Sequence, residues 1–235
     1  MSGLPSSDVT SNRLLSSLAE NDLALLRPSL SRVALPLRKQ LEIPNRAIAA
    51  VYFPESGVAS VVARAGGRSV EVGLIGREGM TGLAVVMGGD RTPSATYIQL
   101  AGKGLRLAAA DLRIAMEKSP TLRLSLLKYC HAYGVQTSYT ALANGRYKVE
   151  ERLARWLLMA HDRIDGDDIP LTHEFISIML GVRRPGVTVA LDALAKKGLV
   201  RARRGGVIVL NRKGLESLTG GAYGVPEAEF QRLWG

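Results

Sequence analysis

The sequence predicts an α+β chain in which a β-rich N-terminal half, one long helix and an α-rich C-terminal half follow one another. Three observations predict this class. Short β-branched runs separated by Gly and Pro continue to about Ala108, no Pro interrupts residues 121–143, and two short amphipathic helices flank a glycine between 171 and 200. With 235 residues, 46% of them hydrophobic, the chain is long enough to bury a substantial core.

The N-terminal half is predicted to begin with helix and to continue as strands. Residues 1–12 are polar and Ser-rich, which is typical of a loose tail. From Asn12 to Leu41 the leucines recur at helical spacing, with breaks expected at Pro28 and Pro36. Short β runs separated by turn residues then predict a small barrel or sandwich with hairpin connections, and they cover 51–53, 58–62, 69–74, 97–100 and 105–107.

A short helix at 109–116 leads to a long helix that starts at Ser119-Pro120. Its apolar residues follow a heptad-like spacing, formed by Leu122, Leu126, Tyr129, Tyr133 and Gln136 and widened by Leu127 and Cys130. Such a helix packs either against its own copy or inside a monomer. Asn144-Gly145 predicts a break, after which an amphipathic helix carries its apolar residues at 149, 153, 156, 157 and 160.

Residues 171–200 predict a helix-turn-helix. Thr172 is a suitable N-cap for a first helix whose buried face is formed by Phe175, Ile176, Met179 and Leu180. Gly181 falls where a tight turn requires positive φ. Pro185 starts a second helix whose inward stripe is Val187, Ala190, Leu191 and Leu194.

The outward face of this second helix suits the major groove of DNA. Arg184 could pair with guanine, Thr188 could donate or accept, and Pro185 or Val189 could touch a thymine methyl group. Gly186 would let the backbone approach the duplex closely. Residues 199–210 predict a hairpin, or wing, whose Arg203 and Arg204 would reach phosphates. The DNA contacts expected are therefore Thr172, Arg183, Arg184, Pro185, Gly186, Thr188, Val189, Arg203 and Arg204.

The charge pattern agrees with a polyanionic partner. The chain has 31 Lys and Arg against 21 Asp and Glu, a formal net charge of +10. Between 183 and 213 only Asp192 opposes nine basic residues, which are Arg183, Arg184, Lys196, Lys197, Arg201, Arg203, Arg204, Arg212 and Lys213. A solvated basic face on a structural domain is the alternative interpretation.

The order of these parts resembles the Crp/Fnr superfamily of bacterial transcription regulators over about residues 12–218. The matching stretches are VYFPESGVAS, IGREGMTGL, VEERLARWLL, residues 171–200 and the Arg-rich wing. The resemblance implies a jelly-roll-like β-roll sensor domain at 1–118, a dimerisation helix at 119–144 and a winged helix-turn-helix at 145–235. It further implies a homodimer joined along the 120–143 helix, a palindromic operator, RNA polymerase as a partner, and Arg184 as the guanine-contacting arginine.

The resembled family's β domain binds cyclic nucleotide through a Gly-Glu pair and a later Arg-Ser-Ala. Here these positions become Gly82-Leu83 and Pro93-Ser94-Ala95, so both charged anchors are missing. Burying a phosphate without a cation is costly, and we do not expect cyclic AMP to bind. The effector pocket, if kept, would be lined by Gly79, Met80, Thr81, Gly82, Leu83, Arg91, Ser94 and Ala95.

Other chemistries lack their residues. One cysteine cannot hold an iron–sulfur cluster, the histidines lie outside the β half where a haem ligand would be needed, and we expect no metal site. His173-Glu174 has no second histidine four residues on, and we expect no enzyme. Without a secretory signal or an apolar run of about 18 residues, a cytoplasmic location away from membranes is expected.

Two hypotheses of function remain. The first is a homodimeric, sequence-specific DNA-binding regulator whose effector is unknown, with Asn144 and Gly145 as the hinge that repositions the recognition helices. The second is a small-molecule or protein-binding module that has only nonspecific affinity for nucleic acid.

Overall fold

The computed structural model describes residues 10–234 and divides the chain into two compact units. The first unit comprises residues up to 61 together with 75–133, and the second comprises 62–74 together with 134–233. The tail predicted at the N-terminus lies mostly outside the described residues. The outer part of one β-hairpin, residues 62–74, therefore belongs with the C-terminal unit, a grouping that the sequence boundary at residue 118 does not anticipate.

The first unit begins with two short helices, α1 (Arg13–Ser16) and α2 (Glu20–Leu26), and a turn of 3-10 helix. The first five strands are β1 (Ser31–Leu35), β2 (Gln40–Glu42), β3 (Ala50–Pro54), β4 (Val58–Ala65) and β5 (Arg68–Ile75). After α3 (Leu83–Val86) come β6 (Ala95–Leu100), β7 (Gly102–Ala108) and α4 (Ala109–Lys118). The strands form two sheets, in the orders β1-β7-β3 and β2-β6-β4-β5, which agrees with the sandwich of the two predicted alternatives, a barrel or a sandwich.

The prediction of helix as far as Leu41 is wrong after residue 30. Residues 31–35 pair with β7 along their whole length, and β2 pairs with β6. Pairing with distant strands outweighs the local leucine spacing, and Leu35 lies in the core with Ala59, Ile75 and Ile98.

The long helix, α5 (Pro120–Arg146), begins where the sequence predicts. The hydroxyl of Ser119 accepts a hydrogen bond from the Leu122 amide at 3.1 Å, and it donates one to the buried carboxylate of Asp22 at 2.5 Å. Thr121 donates a second hydrogen bond to the same Asp22 oxygen at 2.9 Å. The first turn of α5 is thus anchored to α2.

The helix α5 differs from the sequence prediction in two ways. It continues through Asn144 and Gly145 to Arg146, because the roughly 1 kcal/mol that glycine costs a helix relative to alanine is small beside the stability of a 27-residue helix with a buried face. Its heptad-like stripe faces the interior of the chain, with Leu122, Leu126, Tyr129 and Gln136 all buried. Leu127, which was predicted to widen the stripe, is instead exposed, as are Leu124 and Leu142.

The second unit contains the C-terminal elements. They are α6 (Val149–His161), β8 (Asp168–Ile169), α7 (His173–Leu180), α8 (Arg184–Lys196), β9 (Val200–Arg203), β10 (Gly206–Val209), α9 (Arg212–Leu218) and α10 (Val225–Trp234). The three strands form a small antiparallel sheet in the order β8-β10-β9. The core of this unit is built on α6, where Leu153, Trp156 and Leu157 are buried.

The hairpin segment 62–74 is joined to this unit by side-chain hydrogen bonds. The indole Nε1 of Trp156 donates to the buried carboxylate of Glu71 at 2.7 Å. The side-chain amide of Gln136 bonds the backbone of Leu74 in both directions, accepting from its N–H at 2.7 Å and donating to its carbonyl at 3.2 Å. These hydrogen bonds explain why residues 62–74 group with the C-terminal unit.

Candidate nucleic-acid interface

Helices α7 and α8 form the predicted helix-turn-helix. The hydroxyl of Thr172 accepts from the Phe175 amide at 3.3 Å and caps α7. Gly181 ends that helix in the left-handed conformation, with φ +61°, so a glycine is favoured there. The inward residues of both helices are buried, as the sequence predicts, and include Phe175, Met179, Val187 and Leu191.

The outward face of α8 is open to solvent. Its N-cap is Arg183, and Arg183, Arg184, Pro185 and Thr188 are exposed. Val189 is 64% exposed, so its methyl groups are available for contact with a partner. Gly186 is half-buried, and a Cβ there would meet only Val182, at an ordinary 3.9 Å. The helix therefore presents a mixed basic and apolar surface at its N-terminal end.

Two residues of α7 join this surface that the sequence analysis did not include in it. The carboxylate of Glu174 lies 3.5 Å from the guanidinium of Arg184, and both side chains are more than half exposed. The Nδ1 atom of His173 lies 3.4 Å from the Thr188 hydroxyl. His173 and Glu174 are adjacent in the first turn of α7, and their position immediately after the N-cap is the sequence signal that could have placed them here.

The wing forms as predicted, with β9 and β10 joined by a turn at Arg204-Gly205, where Gly205 has φ +75°. Arg204 is exposed at the tip. Arg203 instead turns back across the sheet and makes a two-pronged ion pair with Asp168 of β8, at 2.6 and 3.0 Å. Asp168 at the start of β8 thus holds one of the two arginines expected to reach phosphate.

Comparison with known proteins points to one group of regulators. Residues 151–218, which contain this surface, match the Crp-like helix-turn-helix domain family. A protein from Eubacterium rectale described as a regulator of the Crp/Fnr family is 18% identical, and the alignment covers 90% of this chain and 99% of that one with a TM-score of 0.70. The chain has the Crp/Fnr fold.

Other solved structures agree with this fold. FixK2 from Bradyrhizobium japonicum is 18% identical over 80% of this chain and 96% of its own, with a TM-score of 0.69. A CRP-family transcriptional regulator from Thermus thermophilus is 18% identical over 81% of this chain and 97% of its own, with a TM-score of 0.66. No curated protein matches the chain. The resemblance noted in the sequence is confirmed for the C-terminal domain and for the fold.

Within the Crp/Fnr fold, the predicted effector residues divide into a buried group and an exposed one. Met80 and Thr81 are fully buried, and Thr81 exchanges hydrogen bonds with the backbone of Tyr52 at 2.9 and 3.0 Å. Gly79 and Gly82 are packed so closely that a Cβ would lie 2.0 Å from the Tyr129 hydroxyl and 2.3 Å from Val51, respectively. The loop 79–82, here called the cassette loop, is therefore tightly filled by its own chain.

The residues expected to face this loop are dispersed. Ala95 is buried at the start of β6, and Ser94 is half-buried, its amide donating to the Thr92 hydroxyl. Arg91 is exposed and forms a two-pronged ion pair with its neighbour Asp90, at 2.9 and 3.0 Å. Arg91 is thus engaged outside the buried group. Leu83, which replaces the resembled family's glutamate, is half-buried at the start of α3.

A carboxylate that the sequence analysis missed contacts the cassette loop. Glu42 of β2 accepts a hydrogen bond from the Gly82 amide at 2.5 Å, and it is buried. Burial raises the pKa of the Glu42 carboxyl, against which hydrogen bonds from Thr96 and Gly82 act. No sequence motif links residue 42 to residue 82, so only the strand register could have revealed it.

The remaining titratable and metal-binding candidates are few. Burial raises the pKa of the Cys130 thiol to about 11. Within residues 10–234 no three His, Cys, Asp or Glu side chains come together as metal ligands would. No helix in the same span is both long and apolar enough to cross a membrane.

Proposed function

We propose that the protein is a sequence-specific, DNA-binding transcriptional regulator that works as a homodimer on a palindromic operator. The observation that carries this proposal is the outward face of α8, where Arg184, Thr188 and Val189 are exposed beside an arginine-tipped wing. A recognition helix offers its N-terminal residues to base edges, while flanking arginines bind phosphates. We do not assign an enzymatic activity to it.

Each exposed residue has a proposed role. Arg184 pairs with guanine O6 and N7, Thr188 bonds a base edge, and Pro185 and Val189 contact thymine methyl groups. Arg183, Arg204 and the N-terminal end of α7 at Thr172 contact phosphates, and Gly186 allows close approach. Arg203 contributes to phosphate binding only when it leaves Asp168, so its contribution is smaller than that of Arg204.

The dimer is proposed to form through α5, but through the face opposite its buried residues. Exposed residues recur there every three or four positions: three are leucines (Leu124, Leu127 and Leu142), two are small (Gly134 and Ser138), and one is polar (His131). The predicted stripe already packs within one chain. A second copy would bury Leu124, which is 56% exposed, and Leu142, which is 45% exposed.

Sedimentation tests this dimer. We expect Leu127→Glu to convert the dimer into a folded monomer, because the charge would be buried against its symmetry mate. Leu37→Glu is the matched control, since Leu37 is an exposed leucine on a loop outside α5. A Leu127→Glu protein that sediments as the wild type does would argue against this interface.

Selection of bound duplexes from random DNA tests the function. We expect an enriched palindrome, and Arg184→Ala should lose about 1–3 kcal/mol of discrimination at one base pair in each half-site. Arg204→Ala, which removes a proposed phosphate contact at the tip of the wing, should weaken binding equally for all sequences. No enrichment over random DNA at matched salt would favour the alternative, a binding module with nonspecific nucleic-acid affinity.

Repeating the selection with cell-extract metabolites addresses the effector, which we propose is not cyclic AMP. If the amount of palindrome recovered changes when extract is added, the protein is a ligand-gated regulator. If the amount does not change, control by abundance or by another protein is favoured. RNA polymerase is the partner that we expect on the DNA. Asn144 and Gly145, in the last turn of α5, remain the proposed hinge.

A further inference from the structure

Glu42 is buried at the cassette loop because of a one-residue irregularity in β2. Gln40 lies opposite Tyr97 of β6, so a regular antiparallel register would place residue 42 opposite Ala95. The register shifts between the two, and Glu42 lies opposite Thr96 instead. Gln40 is exposed whereas Glu42 is only 7% exposed, although residues two apart in a regular strand share one face. The bulge turns the carboxylate inward.

Both oxygens of this carboxylate are held by donors of the cassette region. Oε1 accepts from the amide of Gly82 at 2.5 Å, and Oε2 accepts from the hydroxyl of Thr96 at 2.5 Å. Gly82 has φ +84° and a Cβ there would strike Val51, so the chain keeps a glycine whose amide points at the carboxylate. Thr96 is fully buried. This is the geometry of an anion bound by protein donors.

The side chains that would bind the charged groups of an effector near Glu42 are replaced or paired elsewhere. Leu83 and Pro93 stand where the resembled family has its glutamate and arginine, and Arg91 is paired with Asp90 at the surface. A second anion at the Gly82 amide would have to approach a carboxylate already bonded to it, which like charges oppose.

We propose that Glu42 is a built-in anion: its carboxylate takes the donors of the cassette region, the Gly82 amide and the Thr96 hydroxyl, that an anionic effector would otherwise use, so that operator binding does not require a phosphate-bearing effector. Only the part of this proposal that concerns operator binding rests on the proposed regulatory function. Shortening the side chain should therefore create a vacant site for a small carboxylate or for phosphate, because the Gly82 amide and the Thr96 hydroxyl lose their acceptor.

Chemical rescue of Glu42→Ala tests the site without any DNA. We expect its thermal midpoint to rise by about 3–6 °C in sodium formate, relative to sodium chloride of equal ionic strength. The Gly82 amide resonance should shift with formate in this variant. Inorganic phosphate is the second probe, and it separates a site that takes any small anion from one that takes only carboxylates. If neither formate nor phosphate raises the thermal midpoint of Glu42→Ala, the proposal of a built-in anion is overturned.

Glu55→Ala is the matched control, because Glu55 is an equally buried glutamate of the same unit whose bonds go to Thr10, Ser11 and Arg32 instead. We expect it to lose stability without moving the Gly82 resonance in formate. The intact protein gives an independent measurement should Glu42→Ala not fold. Inorganic phosphate should leave the wild-type Gly82 amide unmoved, and a saturable shift of that amide would refute the occupied position.

Operator binding tests the regulatory half. Folded Glu42→Ala should bind the selected palindrome at least tenfold more weakly than wild type in chloride and recover in formate, whereas Glu55→Ala should keep wild-type affinity. If formate restores the thermal stability of Glu42→Ala but the variant binds the operator as wild type does, the anion site is supported and its control of DNA binding is rejected. Absence of any selected palindrome would reject the proposed function and leave the thermal result standing.

Discussion

At the scale of single residues, the proposed reading of a base by Arg184 depends on the contact of its guanidinium with Glu174. Their 3.5 Å contact is exposed on both sides, so it contributes little to stability. If Arg184 contacts guanine as proposed, the Glu174 carboxylate lies close to both the base and the phosphates. We then expect this acid to reduce affinity for every sequence while it holds the guanidinium in place.

Replacing Glu174 with Gln tests that balance. We expect affinity for operator and random DNA to rise together, by up to about 1 kcal/mol, because one repulsive charge is removed. The ratio of operator to random affinity should fall as Arg184 loses its positioning contact. Binding isotherms on both duplexes at several salt concentrations measure this, with Asp192→Asn as the control acid on α8. A ratio that rises would show that Glu174 does not position Arg184.

Cys130 is expected to be chemically inert. With a pKa of about 11, roughly one thiol in a thousand is ionised at pH 8, and only the thiolate reacts. Alkylation by iodoacetamide, followed by mass spectrometry, should be roughly a hundredfold slower than for free cysteine. The thiol ionises at about pH 9 in the unfolded chain and at about pH 11 in the folded one. The stability of the folded protein should therefore decline between these pH values as the unfolded chain loses the proton first. Fast alkylation in the folded protein at pH 8 would contradict this.

Single-residue chemistry was the least predictable level from sequence. The exposed arginines of α8 follow from helical periodicity, so Arg183 and Arg184 could be named in advance. The pairing of Arg203 with Asp168 could not, because it crosses a three-stranded sheet whose order depends on β8, a strand of two residues. Glu42 was missed for a similar reason, since its burial follows from a bulge that no local pattern encodes.

Two glycines in helical elements illustrate how backbone conformation decides the sign of a substitution. Gly145 lies inside α5 with open space around its Cβ position. Gly181 also has room, since a Cβ would meet only Val70 at 3.6 Å, but its φ is +61°. Alanine favours the helical conformation of the first and opposes the left-handed conformation of the second.

We therefore expect Gly145→Ala to stabilise the protein by up to about 1 kcal/mol and Gly181→Ala to destabilise it by about 1–2 kcal/mol. Denaturant unfolding of both variants measures the two changes. If Gly145 is also the hinge, its variant should alter the response of operator binding to effector by more than it alters stability. Destabilisation by Gly145→Ala would indicate that the end of α5 is not helical in solution.

Elements with strong local signals could be predicted, and those defined by distant partners could not. The start of α5 at Ser119-Pro120, the Thr172 cap and the Gly181 turn are local features, and all are present. The strand β1 depends on pairing with β7, some 70 residues later, and leucine spacing alone suggested helix. The stripe on α5 was recognised, but which of its faces meets the rest of the chain is a tertiary property.

At the scale of the whole molecule, the grouping of residues 62–74 with the C-terminal unit has a measurable effect on stability. We expect Glu71→Ala to lower the free energy of unfolding of that unit by about 1–3 kcal/mol, because the buried Trp156 N–H loses its acceptor. Fluorescence of Trp156 in a Trp234→Phe background follows this unit, and Asp192→Ala is an exposed control. An unchanged midpoint would mean that water replaces the carboxylate.

The same grouping limits how the chain can be divided. A fragment of residues 119–235, cut at the predicted boundary, would lack the Leu74 backbone that Gln136 binds and the carboxylate that Trp156 binds. The boundary at 118 follows the order of elements along the chain, whereas compact units follow contacts, and a hairpin can belong to a unit far from it in sequence.

The anchoring of α5 by Asp22 has a consequence for the order of folding. The bond from Ser119 to Asp22 closes a loop of 97 residues, which contains every strand of the two sandwich sheets. A closure of that length costs entropy that only the intervening structure can offset. We therefore expect the first turn of α5 to acquire its bonds to Asp22 only after the sandwich has formed, so that the start of the long helix reports on the folding of the strands that precede it.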